Sequence, residues 1–423
     1  MPRWRKKLPF RELGIGLKML RGWRLNRARH ITPFRELELP HGSLQLVDGI
    51  PLVRVRGTHR EMGRALGTLV GVQAAETFHS YMRCFAPDFR GDLALAREME
   101  PNLPPWLIDE MRGFAETSEL SYDEMLVGQC FLDIHKVAAC STIAAHGKFT
   151  RDGQMLLGRN LDFPSLNIAD EANIVVVYEP EGAGKASLGK DEAEHGDARH
   201  AQRRAPYRYA GVTWPGFLGI LTGLNDAGLA LSMMLVYGQS RHEHLTGQPF
   251  PTVFRRLLHE CATVRQADAL LSTKPYCTAT NLILGDCTGQ AARFQLHPRQ
   301  PIVEYTSDDC PAIACTNHYH DRRIKGFAFT WFSSVVRYNK IAKRIQAGQV
   351  WDDDAIKASL QATGIPAINL QRTIMRPGQG SMAVSFENNG RGPGRWVELP
   401  RELLFGETAT QPVSMPEAAA VAG

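Results

Sequence analysis

The chain has 423 residues, 43% hydrophobic and 22% charged, with a formal net charge of +5; this is ordinary globular composition, long enough for one large domain or two smaller ones. No run of roughly 18 uncharged apolar residues exists, which speaks against a transmembrane helix. The eight cysteines, at positions 84, 130, 140, 261, 277, 287, 310 and 315, are too dilute and irregular for a disulfide framework and point to a reducing, cytoplasmic compartment.

Charge is concentrated at the amino terminus. Residues 1–35 hold 11 Lys or Arg against the single Glu12, a balance of +10, so the other 388 residues sum to −5. Glu12, Lys18 and Arg21 interrupt any apolar core that a signal peptide would need. Phe10, Leu13, Leu17 and Leu20 recur at helical spacing among the basic residues, a pattern suited to peripheral contact with an anionic membrane, the alternative being a solvated arm. No recognition motif accompanies the charge, so nucleic acid is not an expected partner.

From Gly57 to about His135 the apolar residues recur with a 3.6-residue period, which predicts helices. After Cys140 the character changes to strands. These run through "MLLGRNLDF", "NIVVVYEP", "FLGILTGLN" turning at Asp226-Ala227-Gly228 into "LALSMMLVY", and "TATNLILGD" turning at Thr288-Gly289 into "QAARFQLHP". Helices are expected again at Thr252–Ser272, with a capping box at Thr263, at about Ser334–Gln346 and at Asp354–Ala362. A hairpin of "SMAVSFENN" and "GRWVELP" closes the ordered part. Residues 181–206 read as a surface insertion and those after Gly406 as a disordered tail. The expected class is α+β, antiparallel sheets flanked by helices. The direct run from "FLDIHK" into "AACSTI" lacks a linker, so 41–406 are expected to form one structural domain.

The order of "LPPWLIDEMRGFAETSELSYDEML", "CSTIAA", "GRNLDF", "WPGFLGILTGLNDAGLALS", "TATNLILGD" and "CTNHYH" resembles the N-terminal-nucleophile (Ntn) hydrolases of the acyl-coenzyme A:6-aminopenicillanic acid acyltransferase group over roughly residues 45–400. These are more distantly similar to choloylglycine hydrolases and acid ceramidase. The resemblance implies a four-layer αββα sandwich and a precursor that cleaves itself before its nucleophile. The chain would then divide into a basic arm (1–40), a helical pro-segment retained after cleavage (41–139), an Ntn-hydrolase β chain (140–406) and a tail (407–423).

The implied nucleophile is Cys140. Ala138 and Ala139 are small enough to let its thiol fold back on the Ala139 carbonyl, and the freed α-amine then serves as base. The reference values of that amine, about 7.7–8.0, and of the thiol, about 8.5, are well matched for proton transfer. By resemblance Asp162 orients the amine, Arg159 holds the thiolate and lowers its pKa, and Asn225 and Asn281 donate to the oxyanion.

Pairing outward from Asp152-Gly153 sets Cys140 opposite Ser165 and Asp162 opposite Ile143. Arg159 and Asp162, three apart, then share Cys140 only if the strand bends before Pro164. Asn225 also suits a turn, and Arg337 reads either as a carboxylate ligand for the substrate or as a surface helix arginine.

Cys310, Cys315, His318 and His320 are the candidate metal ligands. Their spacing fits no paired-ligand pattern, and Cys315 is expected to turn away from the two histidines, so no metal is assigned. The related family carries an Asn-His pair here, matched by Asn317-His318, and no cofactor is implied.

The expected activity is cleavage of the acyl–nitrogen bond of a small acylated substrate through a Cys140 acyl-enzyme. The alternatives are acyl transfer between a thioester or amide and an amine, and a binding protein on the same scaffold that never matures.

Overall fold

Asp48-Gly49 is a two-residue turn between alternating apolar stretches, and it folds β2 (Gly42–Val47) onto β3 (Ile50–Gly57) with Val47 opposite Ile50. With β1 (Leu37–Leu39) these strands precede any expected from the sequence. The segment read as a helical pro-segment therefore supplies sheet as well as helix, and β1 lies inside the stretch read as an arm.

The computed structural model describes residues 17–18, 20–27, 29–86, 88–184, 205–236, 245–273, 277–297, 301–321, 323–324, 334–387 and 392–406. Most of the basic arm, the insertion and the tail lie outside the described residues.

Four helices follow β3: α1 (His59–Phe85), α2 (Phe89–Met99), α3 (Pro105–Thr117) and α4 (Tyr122–His135). Capping boxes at Thr58/Glu61 and Ser121/Glu124 fix where α1 and α4 begin. Close packing of α1 on α3 depends on glycine, since a Cβ at Gly63 would sit 2.1 Å from the Glu110 carbonyl oxygen.

The strands after α4 are β4 (Ala139–Gly147), β5 (Gly153–Asp162), β6 (Ile174–Pro180), β7 (Tyr209–Thr213), β8 (Thr222–Asn225), β9 (Leu229–Leu235), β10 (Thr280–Asp286), β11 (Ala291–Leu296), β12 (Ile302–Tyr305), β13 (Ala312–Cys315), β14 (Asn369–Arg376), β15 (Ser381–Phe386) and β16 (Val397–Leu399). They form two sheets, a ten-stranded one of order β1-β2-β3-β6-β7-β8-β9-β10-β11-β12 and a six-stranded one of order β13-β4-β5-β14-β15-β16. All these pairings are antiparallel except β3 with β6.

The helix expected at Thr252–Ser272 is two: α5 (Phe250–Glu260) and α6 (Val264–Leu271), the second capped by the Thr263 hydroxyl. The capping signal thus marks a break, because a capping threonine has extended backbone. Helices α7 (Ser334–Gln346), α8 (Asp353–Thr363) and α9 (Arg401–Phe405) complete the described elements.

The sheets pack face to face, β4 against β9 and β10. Helices α1, α5 and α6 cover the outer side of the larger sheet, and α7 and α8 that of the smaller, giving four layers in the order αββα. One apolar core runs from Ile31 to Phe405, and a second cluster under α7 and α8 holds Ile143, Trp351, Ile356 and Ile374.

Candidate active site

Cys140 is the second residue of β4 and is fully buried. The β4–β5 ladder differs from the expected register by four residues: Cys140 lies opposite Leu161, Ala139 opposite Asp162 and Thr142 opposite Arg159. The cause is the loop. The ladder closes at Gly147 and Gly153, so residues 148–152 form a wider connection than the two-residue turn that Asp152-Gly153 suggested.

Strand alternation then sends Arg159 and Asp162 to opposite faces of the smaller sheet. Arg159 enters the gap between the sheets, where its Nη2 lies 3.2 Å from Cys140 Sγ and donates to the Met233 carbonyl at 2.9 Å, while Nη1 donates to the Thr222 hydroxyl. Asp162 faces α8, and its Oδ1 accepts from the Ile365 N–H at 2.9 Å and from Asn369 Nδ2 at 2.7 Å. No bend brings both residues to the thiol. Burial pushes the Cys140 thiol above its usual range, and the Arg159 charge and the Leu235 N–H pull it back only in part. Arg159 thus lowers the thiol as expected, but in the uncleaved chain desolvation outweighs it.

The backbone N–H of Cys140 is held by a residue outside the catalytic set inferred from sequence. β13 pairs Cys315 with Thr142, and two steps further the register brings Asn317 opposite Cys140. The chain has left the ladder there, and the Asn317 side-chain carbonyl replaces a strand carbonyl, its Oδ1 accepting from Cys140 N at 2.8 Å. The same oxygen accepts from Arg337 Nη2 at 2.8 Å, which fills both lone pairs. Arg337 is 3% exposed, not a surface arginine. Its Nη1 donates to the Cys140 carbonyl at 2.6 Å and lies 3.8 Å from Asp162 Oδ2. The sequence signal for Asn317 was present in "CTNHYH"; nothing in the α7 sequence shows that Arg337 points inward.

The other two asparagines are occupied. Asn225 Nδ2 donates to the Leu258 and Cys261 carbonyls, and its Oδ1 accepts from Leu229 N, a turn-holding role at the end of β8 away from Thr222. Asn281 Nδ2 donates to the Thr316 carbonyl at 3.0 Å and the His318 carbonyl at 2.7 Å, anchoring the turn that carries Asn317. Neither presents an amide N–H to Cys140. Ser334 at the start of α7 holds the same turn through His318 Nδ1 at 2.8 Å.

Because β13 ends at Cys315, this thiol is not turned away from both histidines as expected but lies 3.4 Å from His320 Nε2. Burial raises the Cys315 thiol to about 12 and lowers His318 to about 4. Cys310 is exposed, and among the described residues no group of three or more His, Cys, Asp or Glu could hold a metal ion.

A thiol, its own backbone nitrogen and its own carbonyl, each held by a separate polar side chain, is an arrangement for chemistry at both ends of one residue. The chain is 26% identical over 247 residues to Protein dcd1A of Dictyostelium discoideum, covering 52% of each. It is 22% identical over 284 residues to an uncharacterized protein of Archaeoglobus fulgidus, covering 59% of this chain and 42% of that one. The chain thus spans about half the length of the curated relatives it matches. Among solved structures it is similar to a Caenorhabditis elegans N-acylethanolamine-hydrolyzing acid amidase ortholog, at 17% identity and TM-score 0.38 over 56% of this chain and 93% of that one. The model of the acyl-coenzyme A:6-aminopenicillanic acid acyl-transferase family matches residues 149–369, half of the chain, starting past Cys140 and taking in Arg159, Asp162, Asn317 and Arg337. The chain belongs to this family.

Proposed function

We propose that the protein is a self-processing cysteine amidohydrolase that cleaves linear amides through a Cys140 acyl-enzyme. Maturation begins when Sγ attacks the Ala139 carbonyl carbon. The Ala139–Cys140 peptide bond breaks, its nitrogen becomes the Cys140 α-amine, and water hydrolyses the resulting thioester to leave a carboxylate on Ala139. The amine then takes the thiol proton, the thiolate attacks the substrate carbonyl, and the proton passes to the departing amine. Water releases the acyl group and restores the thiol.

The observation that carries this reading is the two-ended grip on Cys140: Asn317 on its nitrogen at 2.8 Å and Arg159 on its sulfur at 3.2 Å. Asn317 Oδ1 is already placed to accept from the α-amine once the bond is cut, and Arg159 favours the thiolate. The family description favours a second reading, in which an amine instead of water accepts the acyl group.

Denaturing electrophoresis with terminal sequencing tests maturation: two pieces are expected, the second starting at Cys140, and Cys140→Ala stays single and inactive. A wild-type chain that remains whole and hydrolyses amides at full rate would falsify the role of the α-amine.

We also place the enzyme in the cytoplasm, with its basic arm against anionic lipid. Leu17, Leu20 and Trp23 are 58%, 60% and 48% exposed among Lys18, Arg21 and Arg24. Co-sedimentation with anionic vesicles should weaken as salt is added; equal sedimentation after deletion of residues 1–35 would end the idea.

A further inference from the structure

Arg159 is a buried guanidinium with no carboxylate bonded to it. It is 1% exposed, and Asp162, its nearest acid in the chain, faces α8 on the other side of the smaller sheet, bonded to Ile365 and Asn369. The two groups that hold Arg159 both belong to the larger sheet: the Thr222 hydroxyl accepts from Nη1 and the Met233 carbonyl accepts from Nη2 at 2.9 Å. Both are neutral. A carboxylate in the place of Thr222 would cancel the charge, whereas a hydroxyl and a carbonyl fix the guanidinium fork and leave its charge for the sulfur, 3.2 Å from Nη2. Burial holds the guanidinium below its usual range, and Cys140, ahead of Asp162, pulls it back up.

The grip on Arg159 is incomplete. Its Nε has no partner among the described residues. Thr222 of β8 pairs with Ser232 of β9, so both side chains stand on one face of the larger sheet, the face that meets Arg159. Both are fully buried, yet Ser232 Oγ has no partner among the described residues. The face opposite Arg159 thus carries two neighbouring hydroxyls, and the guanidinium takes only the first.

The choice is built into β8. This strand is four residues long, and its last residue, Asn225, bonds the Leu258 and Cys261 carbonyls and the Leu229 N–H, which fixes the hairpin three residues beyond Thr222. A threonine on so short and anchored a strand presents its hydroxyl in one place, because its branched Cβ leaves few rotamers.

We infer that Thr222 is the positioning residue of Arg159: its hydroxyl fixes the guanidinium fork so that Nη2 meets Cys140 Sγ, and it acts on the reaction only through that arginine. The inference rests on the Cys140 acyl-enzyme reading above and adds to it a residue from the opposite sheet. Without the hydroxyl, Nη1 loses its acceptor, the fork turns toward Ser232, and the charge moves off the thiolate.

Thr222→Val keeps the shape and removes the acceptor, Thr222→Ser keeps the acceptor, and Thr222→Ala takes the place of valine should valine impair folding. In the protein as purified, alkylation of Cys140 by iodoacetamide is followed against pH, resolved from the other cysteines by peptide mass. Its midpoint should rise by about one unit in Thr222→Val, a roughly tenfold loss of thiolate below both midpoints, and return to the wild-type value in Thr222→Ser. At pH 7 kcat should fall about tenfold in Thr222→Val with KM changed by less than about twofold, and the deficit should close as pH rises through the new midpoint. Ser232→Ala, which removes a hydroxyl from the same face without touching Arg159, should leave both unchanged. An unmoved midpoint in a valine variant of wild-type melting temperature overturns the assignment, as does a serine variant no better than valine; either result leaves the acyl-enzyme standing. If the wild type turns over no amide, the catalytic reading fails instead, and the alkylation midpoint still decides whether Thr222 governs the thiol through Arg159.

Discussion

Two buried arginine–carboxylate pairs join distant parts of this chain, and they differ in how completely they are satisfied. In the first, Glu110 of α3 and Arg255 of α5 are both fully buried and bonded twice, at 2.9 Å and 2.6 Å. Arg255 also donates to the Tyr209 hydroxyl and the Leu218 carbonyl and lies over the Tyr178 ring at 4.1 Å. In the second, Arg337 and Asp162 stand 3.8 Å apart, and Asp162 Oδ2 has no hydrogen-bond partner. The first pair fastens α3, which precedes Cys140, to α5, which follows it. The second sits beside Cys140, where Arg337 is committed to the Cys140 carbonyl and to Asn317. A saturated pair is suited to holding; an unsaturated one stores the polarity that a reaction can draw on.

The pairs should respond to pH with opposite signs. Burial pushes the Glu110 carboxyl up, but Arg255 and His59 overcome it and hold it below its usual range. A lowered carboxyl contributes stability that is present above its unfolded pKa and lost as pH falls. Glu110→Gln should therefore cost about 3–5 kcal/mol at pH 7, since it leaves Arg255 buried and unpaired. In denaturant titrations the difference from wild type should begin to shrink below about pH 4, where the unfolded chain's Glu110 takes up its proton, and disappear only as pH falls through the lower folded value. A constant difference across pH would mean that packing, not charge, is lost.

Asp162 should behave in reverse. Burial raises it to about 6, with Arg337 pulling it down only partly. A raised carboxyl favours the fold below its unfolded pKa and loses that contribution as pH rises through the folded value. Asp162→Asn should then be more stable than wild type by about 2–3 kcal/mol at pH 8 and equal to it near pH 4, while its turnover falls. If this variant is destabilised at pH 8, the Arg337 attraction outweighs burial and the contrast between the pairs disappears.

Asn281→Ala probes the support of the second site. It strips the Thr316 and His318 carbonyls of their donor, at a cost of about 1–3 kcal/mol. Hydrogen exchange should rise around residues 315–320, and cleavage and turnover should slow together. Normal exchange there with slow turnover would return Asn281 to the oxyanion.

The sequence carried the layers of this fold better than its connections. Periodicity located α7 and α8 to within a residue or so, because their apolar stripes are read locally. The hairpin of β2 and β3 was equally local, signalled by Asp48-Gly49, and was overlooked because long helices follow it. Register was not local: a plausible turn at Asp152-Gly153 gave the wrong partner for Cys140, and only the whole sheet, with β13 on the other side, decides it. Motif order set Cys140 near Arg159, which lies 3.2 Å from its sulfur, while Asp162 lies on the other face of the sheet. The inward reach of Arg337, and the capture of the Asn225 and Asn281 amides by backbone carbonyls, depend on what packs against them, which no spacing in one sequence contains.

The smallest expected effect sharpens the first pair. His59 Nδ1 is 3.2 Å from Glu110 Oε2, and its ring stacks on Trp106 at 5.0 Å and 29°. His59→Phe keeps an aromatic ring for that stack and deletes the polar contact alone. Glu110 retains both bonds from Arg255, so it is never left as an unpaired charge, and the loss should be about 1 kcal/mol, that of one hydrogen bond. Combined with Glu110→Gln, the His59 substitution should cost nearly nothing more, because its partner's charge is already gone. If His59→Phe instead costs as much as Glu110→Gln, the carboxylate depends on the histidine as heavily as on Arg255. The link between α3 and α5 would then be a three-group network, to be compared with the Arg337, Asp162 and Asn317 network around Cys140 and not with an isolated pair.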